Sequence, residues 1–462
     1  MEFVLPAIAL LLLLLAGGGI LLLLMAQARK IDALEFFSLA FLLGCIFISL
    51  SSFLLGWLLS GLALRMAVSF FCLAIFGLGF RQAKRRSITL TGLIPKTPKD
   101  FLLFAILLLS FGWLTWFSAR TGLGWDGVFH WEIKARLAFE NGGTLPLSYL
   151  TEKTLWFSHR GYPLLLPLSE AWFYGWIGQA HQGLIKLFFP LFFLAALGLL
   201  ATAEGSRKVA APLILCFVPL VLFGDGSVSA GYADFLVAVY YLGAVISLLK
   251  YWQDNSAESL RIFAVLSLAL PWTKQEGNVL FVILAALLLL KILAQKNSWQ
   301  VRLRFALLAL TPGLLLMLGW SIFVKIFKTP VEQYYLSPTF ATLKASLNRT
   351  PIILRWLSKE IVAWNHWGIL WLTFPLSAGL LMFGAQRQRT IILTLTVLLP
   401  IAAYTGIYYF VATERISIEE WLLTSLARLM LHVAPVAVLI IGSSLNAKKI
   451  SEAVPDELQV VQ

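Results

Sequence analysis

Charge is what this sequence has least of. Only 13% of its 462 residues are Asp, Glu, Lys or Arg, against about 25% in a soluble globular domain. Too few charged groups remain to solvate a water-soluble fold of this size. Cysteine is scarce too. Cys45, Cys72 and Cys216 all lie in apolar stretches, where a thiol acts as a small packing group rather than a disulfide partner or metal ligand. There is no HExxH pattern, and His130, His181, His366 and His432 lack the spacing of a metal site. Apolar and polar residues do not alternate over ten-residue segments, which argues against a membrane β-barrel. The first segment carries Glu2, has no basic stretch before its apolar run and shows no clear small-residue cleavage site. It reads as a retained span rather than a signal peptide.

What is present is apolar length. Hydrophobic residues make up 60% of the chain, mean hydropathy is +0.85, and runs such as 3–25 and 36–55 carry no charge over about 20 residues, enough to cross a bilayer as helix. The fold class is therefore an all-α polytopic membrane protein. The net charge of +13 does not indicate a nucleic-acid partner, because the Lys and Arg residues sit in short loops between apolar runs. Basic clusters occur at Arg29-Lys30, within 81–99, at Arg207-Lys208, within 250–261 and 291–304, at Arg387 and Arg389, and at Lys448-Lys449. Placed in the cytoplasm, they predict about thirteen crossings: 3–26, 34–56, 60–80, 101–118, 184–203, 209–223, 234–250, 261–273, 278–294, 304–324, 361–384, 390–410 and 429–445. The N-terminus then lies outside and the C-terminal tail inside. Residues 162–178 are apolar but are left out of that count. Their two prolines, Glu170 and aromatic residues suit an interfacial or re-entrant helix better.

The outer face then holds loops at 119–183, 325–360 and 411–428, and loops of this length are usually functional. Asp126 directly follows a span end between Gly124 and Gly127. It reads equally as a general base or metal ligand and as the N-cap of a helix starting near Val128. In that helix Glu132 and Arg136 are spaced as an i,i+4 pair. Asp225 and Asp234 bracket a Gly-rich outer turn, and Lys274 and Glu276 occupy the next one. Ionisable groups at such depth are costly and mark substrate or ion pathways, though Lys274 and Glu276 also suit mutual neutralisation. His159 and Arg160 precede Tyr162 and Pro163. Arg160 suits a phosphate or a lipid headgroup, and His159 a proton carrier or a structural hydrogen bond. The 325–360 loop carries six basic residues against Glu332 and Glu360, an excess that an anionic lipid, lipid-linked phosphate or acidic glycan would explain.

A Trp125-Asp126 pair just after a span, a short helix, and then a Tyr-Pro segment leading to a further apolar helix resemble the GT-C glycosyltransferases. The likeness is to the branch with protein O-mannosyltransferases and lipid A aminoarabinose transferases. Asp126 matches the acidic residue early in that branch's first outer loop. Asp234 in GYADFLVAVYY resembles its second Asp, and Lys274 in LALPWTKQEG resembles its span-terminal lysine. The likeness covers about residues 101–300. It departs in having three spans before the usual first helix, and in His159-Arg160-Gly161-Tyr162-Pro163 where the family has a lysine-proline-proline motif. It implies three regions: accessory spans with a basic cytoplasmic loop (1–100), a catalytic membrane module (101–300) and C-terminal spans (301–462).

The resemblance implies transfer of a sugar from a polyprenyl-phosphate donor to a lipid, glycan or protein acceptor outside the cytoplasm, in a bacterial inner membrane. Asp126 would be the catalytic base. Asp234, Lys274, Glu276, His159, Arg160 and Tyr162 would bind substrate. Participation of a divalent cation is left open by a pair of acids. Two other readings compete: a polysaccharide polymerase or O-antigen-ligase-like enzyme leaning on the basic 325–360 loop, and a transporter or flippase for a lipid-linked or anionic solute.

Overall fold

The computed structural model describes residues 4–329, 334–384 and 387–452, with side chains to 446. It is 77% helical. The one sheet pairs two three-residue strands, β1 (Lys30–Asp32) and β2 (Thr89–Thr91), in parallel. Glu332 of the second outer loop and the side chains of Lys448 and Lys449 lie outside the described residues.

The helices follow the apolar runs. They are α1 (Val4–Leu24), α2 (Ala33–Leu55), α3 (Gly61–Arg85) and α4 (Pro98–Arg120). In the first long loop come α5 (Ile133–Glu140) and α6 (Leu165–Ile177), and then α7 (Gln182–Thr202). Next are α8 (Ala233–Asp254), α9 (Ala257–Thr273), α10 (Glu276–Ala294) and α11 (Trp299–Ile326). The set closes with α12 (Thr350–Ile361), α13 (Leu370–Met382), α14 (Arg387–Ile407), α15 (Ile418–Leu431) and α16 (Ala434–Glu452). Caps set several of their starts. Asp32 accepts from the Leu34 amide at 2.8 Å to begin α2, while Thr97 with Asp100 and Ser417 with Glu420 form capping boxes on α4 and α15.

Among the described residues nine helices are long and apolar enough to cross a membrane, or ten if the bent pair of α15 and α16 is one span. The expected thirteen is not confirmed. Segment 209–223 is no continuous helix. Proline at 212 and 219 lacks the amide a helix needs, and the segment forms two short helices, Ala210–Leu215 and Pro219–Leu222. α9 has 17 residues and α13 has 13. At 1.5 Å per residue these are short for a bilayer core of about 30 Å.

Ion pairs nonetheless sort the molecule into two ends. At one end Arg207 bridges Asp32 at 2.9 Å and Asp100 at 3.2 Å, joining the starts of α2 and α4. Lys250 meets Glu35 at 2.5 Å, Arg29 meets Glu258 at 3.2 Å, and Arg389 meets Glu204 at 3.4 Å. At the other end the turn after α4 meets the turn before α8, with the Gly124 amide on the Ala230 carbonyl at 2.9 Å. The broken 209–223 segment therefore carries the chain from one end of the bundle to the other, and α9 does the same between Glu258 and Lys274.

α6 is enclosed rather than laid on a surface. Leu165 to Gly175 are all buried, and the helix packs against α1, α2, α3 and α5. Trp172 donates from Nε1 to the Ala9 carbonyl at 3.1 Å. Residues 162–178, expected as an interfacial or re-entrant helix, thus form a helix shielded by protein. The α1–α3 group belongs to the same core, because α2 also packs on α7 and α9. Small residues permit the closest approach: a Cβ on Gly44 of α2 would strike the Leu13 carbonyl of α1.

Two outcomes follow from this packing. Gly44→Leu must force α1 and α2 apart and should destabilise the protein by about 3 kcal/mol, read as a lowered midpoint of thermal unfolding in detergent; an unchanged midpoint contradicts the packing. Single cysteines introduced as Ile94→Cys and Thr413→Cys, at opposite ends of the bundle, should react with a membrane-impermeant maleimide from opposite sides of sealed vesicles. Labelling of both from one side contradicts the two-ended arrangement.

Candidate functional site

At one end of the bundle, α8, α9, α10, α14 and α15 meet the first long loop in a cluster of charges. Asp126 stands where a six-residue π-helix, Gly127–Glu132, begins. Its carboxylate makes no capping bond. Instead Oδ2 accepts from Arg428 of α15 at 2.5 Å and lies 3.3 Å from His130 Nδ1. The same Arg428 nitrogen reaches Oδ2 of Asp234 at 3.0 Å. Asp234, in the first turn of α8, also holds Lys274 Nζ at 2.8 Å and faces His432 Nε2 at 3.2 Å. Lys274 continues to Glu276 at 3.1 Å, and Tyr404 closes the group at 3.0 Å from His432 Nδ1.

Local sequence explains why these groups meet. Gly127 lets the π-helix lie against the turn before α8, since a Cβ there would come within 2.5 Å of the Ala230 carbonyl. Lys274 ends α9 just after Pro271 and α10 begins at Glu276, so both ionisable groups sit in one tight corner. Arg428 and His432 are four residues apart and fall on one face of the chain turning from α15 into α16.

Exposure divides the cluster into two tiers. Side chains of Asp126, Arg428 and Glu276 are 13%, 17% and 20% accessible, whereas Asp234 and His432 are at 0% and Lys274 at 4%. A ligand would meet the first three, and the second three hold them. Both bonds to the aspartates use one terminal nitrogen of Arg428, and a guanidinium carries five donors, so it has capacity for a further acceptor. Burial pushes the Asp126 carboxyl up, but the His130 contact and the charge of Arg428 outweigh it and hold the group at about 2.

His159 and Tyr162 adjoin this group through His130. The rings of His130 and His159 meet edge to face with centroids 4.2 Å apart, and His159 stacks on Tyr162 at 4.8 Å. His159 has φ of 46°, a left-handed conformation that a residue with a Cβ adopts at a cost. Burial, then the neighbouring His130 and Lys134, push its imidazole down to about 3, so it is neutral at pH 7. Arg160 is buried and donates to the Glu152 carbonyl within its own loop. Asp225 is exposed and accepts from Tyr232 at 3.3 Å. Within 325–360, Arg349 donates to the Tyr408 and Val411 carbonyls at 3.1 and 2.8 Å, fastening that segment to the chain after α14.

One expected pair does not form. Arg136 binds Glu140 at 2.9 Å, while Glu132 is buried and accepts from Tyr174 at 3.3 Å. The wider π-turn rotates Glu132 away from the face that Arg136 presents. Among the described residues no group of three or more His, Cys, Asp or Glu side chains is placed to hold a metal ion. Arg428 occupies the position between the two aspartates.

Comparison of the chain with protein-family models, curated proteins and solved structures finds no match.

The pH dependence of stability tests the central pairing. A carboxyl held below its unfolded value of about 3.9 stabilises the folded state fully above that pH, and the contribution is lost as pH falls towards 2. Wild type should therefore exceed Asp126→Asn by on the order of 2 kcal/mol at pH 6, with the gap closing between pH 4 and 2 in thermal unfolding. A gap independent of pH would show that Asp126 is not held ionised by this pairing.

Proposed function

We propose that the protein is a GT-C-like membrane glycosyltransferase that moves a sugar from a polyprenyl-phosphate donor to a lipid, glycan or protein acceptor. The observation that carries this reading is an ionised carboxylate, Asp126, beside a guanidinium with unspent donors, at one end of a bundle of apolar helices. A donor with a long isoprenoid tail must be met from within the bilayer, while its sugar and phosphate reach the water-facing end. That combination of carboxylate and cation supplies what such a transfer needs. On the charge distribution of the loops this end is extracytoplasmic, and we place the protein in a bacterial inner membrane.

In the proposed reaction the acceptor hydroxyl attacks the anomeric carbon. Its proton passes to Asp126, a new carbon–oxygen bond forms, and the bond from that carbon to the phosphate oxygen breaks. The electron pair leaves with the polyprenyl phosphate, whose charge Arg428 stabilises. Arg428 takes this role ahead of Lys274, which lies behind it with both its hydrogen-bonded acids. Drawing the guanidinium towards an incoming phosphate weakens its hold on Asp126, and the carboxylate becomes a stronger base as the donor binds. Asp234, Lys274 and Glu276 position these groups. His159 and Tyr162 wall the sugar side, and Arg160 shapes the loop that carries them.

One observation favours a second reading, a transporter of an anionic or lipid-linked solute. Three carboxylates and two permanent cations sit together at the ends of apolar helices, an arrangement also suited to binding a charged solute in transit. The two readings separate in proteoliposomes given a radiolabelled polyprenyl-phosphate sugar and an extract of envelope acceptors. Glycosyl transfer by wild type, with Asp126→Asn reduced at least about a hundredfold but folded as wild type, supports the enzyme. Unaltered transfer by that variant overturns the role of Asp126, and solute movement without any transfer favours the transporter.

A further inference from the structure

His130 keeps one ring nitrogen buried beside the carboxylate of Asp126. Asp126 has φ of −63° and ψ of −33°, helical values, and His130 follows it by four positions, so both side chains fall on one face. Nδ1 of His130 lies 3.3 Å from Oδ2 of Asp126. It is nonetheless buried without a hydrogen bond to that oxygen or to any other described residue. At that distance it is the angle that fails. Oδ2 is held instead by Arg428 at 2.5 Å. A buried nitrogen left unpaired is costly, so a turn of the carboxylate towards His130 is favourable once Arg428 releases it.

The imidazole ring is fixed by its neighbours. His159 meets it edge to face with centroids 4.2 Å apart and is itself stacked on Tyr162 at 4.8 Å. The turn Trp156–Ser158 packs on the π-helix that carries it. Realignment therefore falls to the carboxylate, whose terminal torsion has a broad minimum. Arg428 and His130 both address Oδ2, which leaves Oδ1 for a reacting hydroxyl.

We propose that His130 is a positioning residue for Asp126 and takes over Oδ2 when a donor phosphate engages Arg428. The role rests on the glycosyl-transfer reading and adds a hand-over to it. As the guanidinium moves to the phosphate, a small rotation of the carboxylate aligns Oδ2 with an N–H on Nδ1, and the tautomer with hydrogen on that nitrogen is the one required. Oδ1 stays aimed at the acceptor. The acceptor proton then passes to Oδ1 as the new carbon–oxygen bond forms, and the imidazole keeps its own proton. Without His130 the released carboxylate turns freely, and misplacing a reacting group by about 1 Å costs about a hundredfold in rate.

Transfer kinetics of the full-length protein in proteoliposomes, with a polyprenyl-phosphate sugar and envelope acceptors, test the role. His130→Ala should lower kcat about fiftyfold and leave the donor KM within about twofold. His130→Asn, whose amide N–H falls near the place of Nδ1, should regain most of that loss, and His130→Gln, whose amide falls near Nε2, should not. Added to Asp126→Asn, His130→Ala should cause no further loss, because it acts through that carboxylate. Wild-type transfer that His130→Ala leaves unaltered, or a raised donor KM with unchanged kcat, overturns this role alone. Absence of transfer by wild type overturns the glycosyl-transfer reading and the role together. A second measurement needs no variant to fold. On adding polyprenyl phosphate to wild type, the Nδ1 proton should move downfield in the NMR spectrum as its hydrogen bond forms, and an unmoved resonance with that phosphate bound overturns the hand-over.

Discussion

A single guanidinium shared between two aspartates is the constraint on which one end of this molecule depends. Arg428 takes one carboxylate from the first long loop and one from the start of α8, and so fixes α15 to both. Burying any of these charges alone would cost several kcal/mol. Together they are affordable because every carboxylate in the group has a cation within hydrogen-bond reach and Asp234 has two. The geometry of the cluster is therefore not adjustable by small steps, since loosening one pair leaves another charge unmatched in a poorly solvated place.

The opposite end repeats the principle with less burial. Arg207 gathers the starts of α2 and α4, and Glu204, three residues earlier in the chain, receives Arg389 and the Ser443 hydroxyl at 2.5 Å. Between the two ends, packing is by shape. Apolar side chains have no hydrophobic incentive to leave lipid for one another, so close backbone approach at small residues such as Gly44 supplies the contact. Direction and register come from the charged ends, and cohesion from the apolar middle.

The long helices were legible in the sequence because uncharged length is a direct physical requirement of a bilayer. The cluster was legible in part. Asp126, Asp234, Lys274 and Glu276 were singled out as costly ionisable groups near outer span ends, and the structure gathers them. Arg428 is not legible in the same way, because it closes the 411–428 segment at the edge of an apolar run, where a lone arginine looks like ordinary flanking charge. Its signal was His432 four residues on, two polar groups on one face of an apolar stretch. The break at 209–223 was carried by Pro212 and Pro219, but mean hydropathy over the window does not register a missing amide. The pairing of Arg136 with Glu140 depended on a π-turn, and spacing rules for an α-helix give no sign of one.

Asp126 and Arg428 are separated by 302 positions in the chain. During synthesis the aspartate, the lysine and their helices are all in the membrane long before the arginine leaves the ribosome. For that interval the acid lacks its guanidinium partner, at a water-lipid boundary where it must stay hydrated. The first long loop thus cannot settle onto the bundle until α15 has been made, and a helix from a distant part of the chain closes the site.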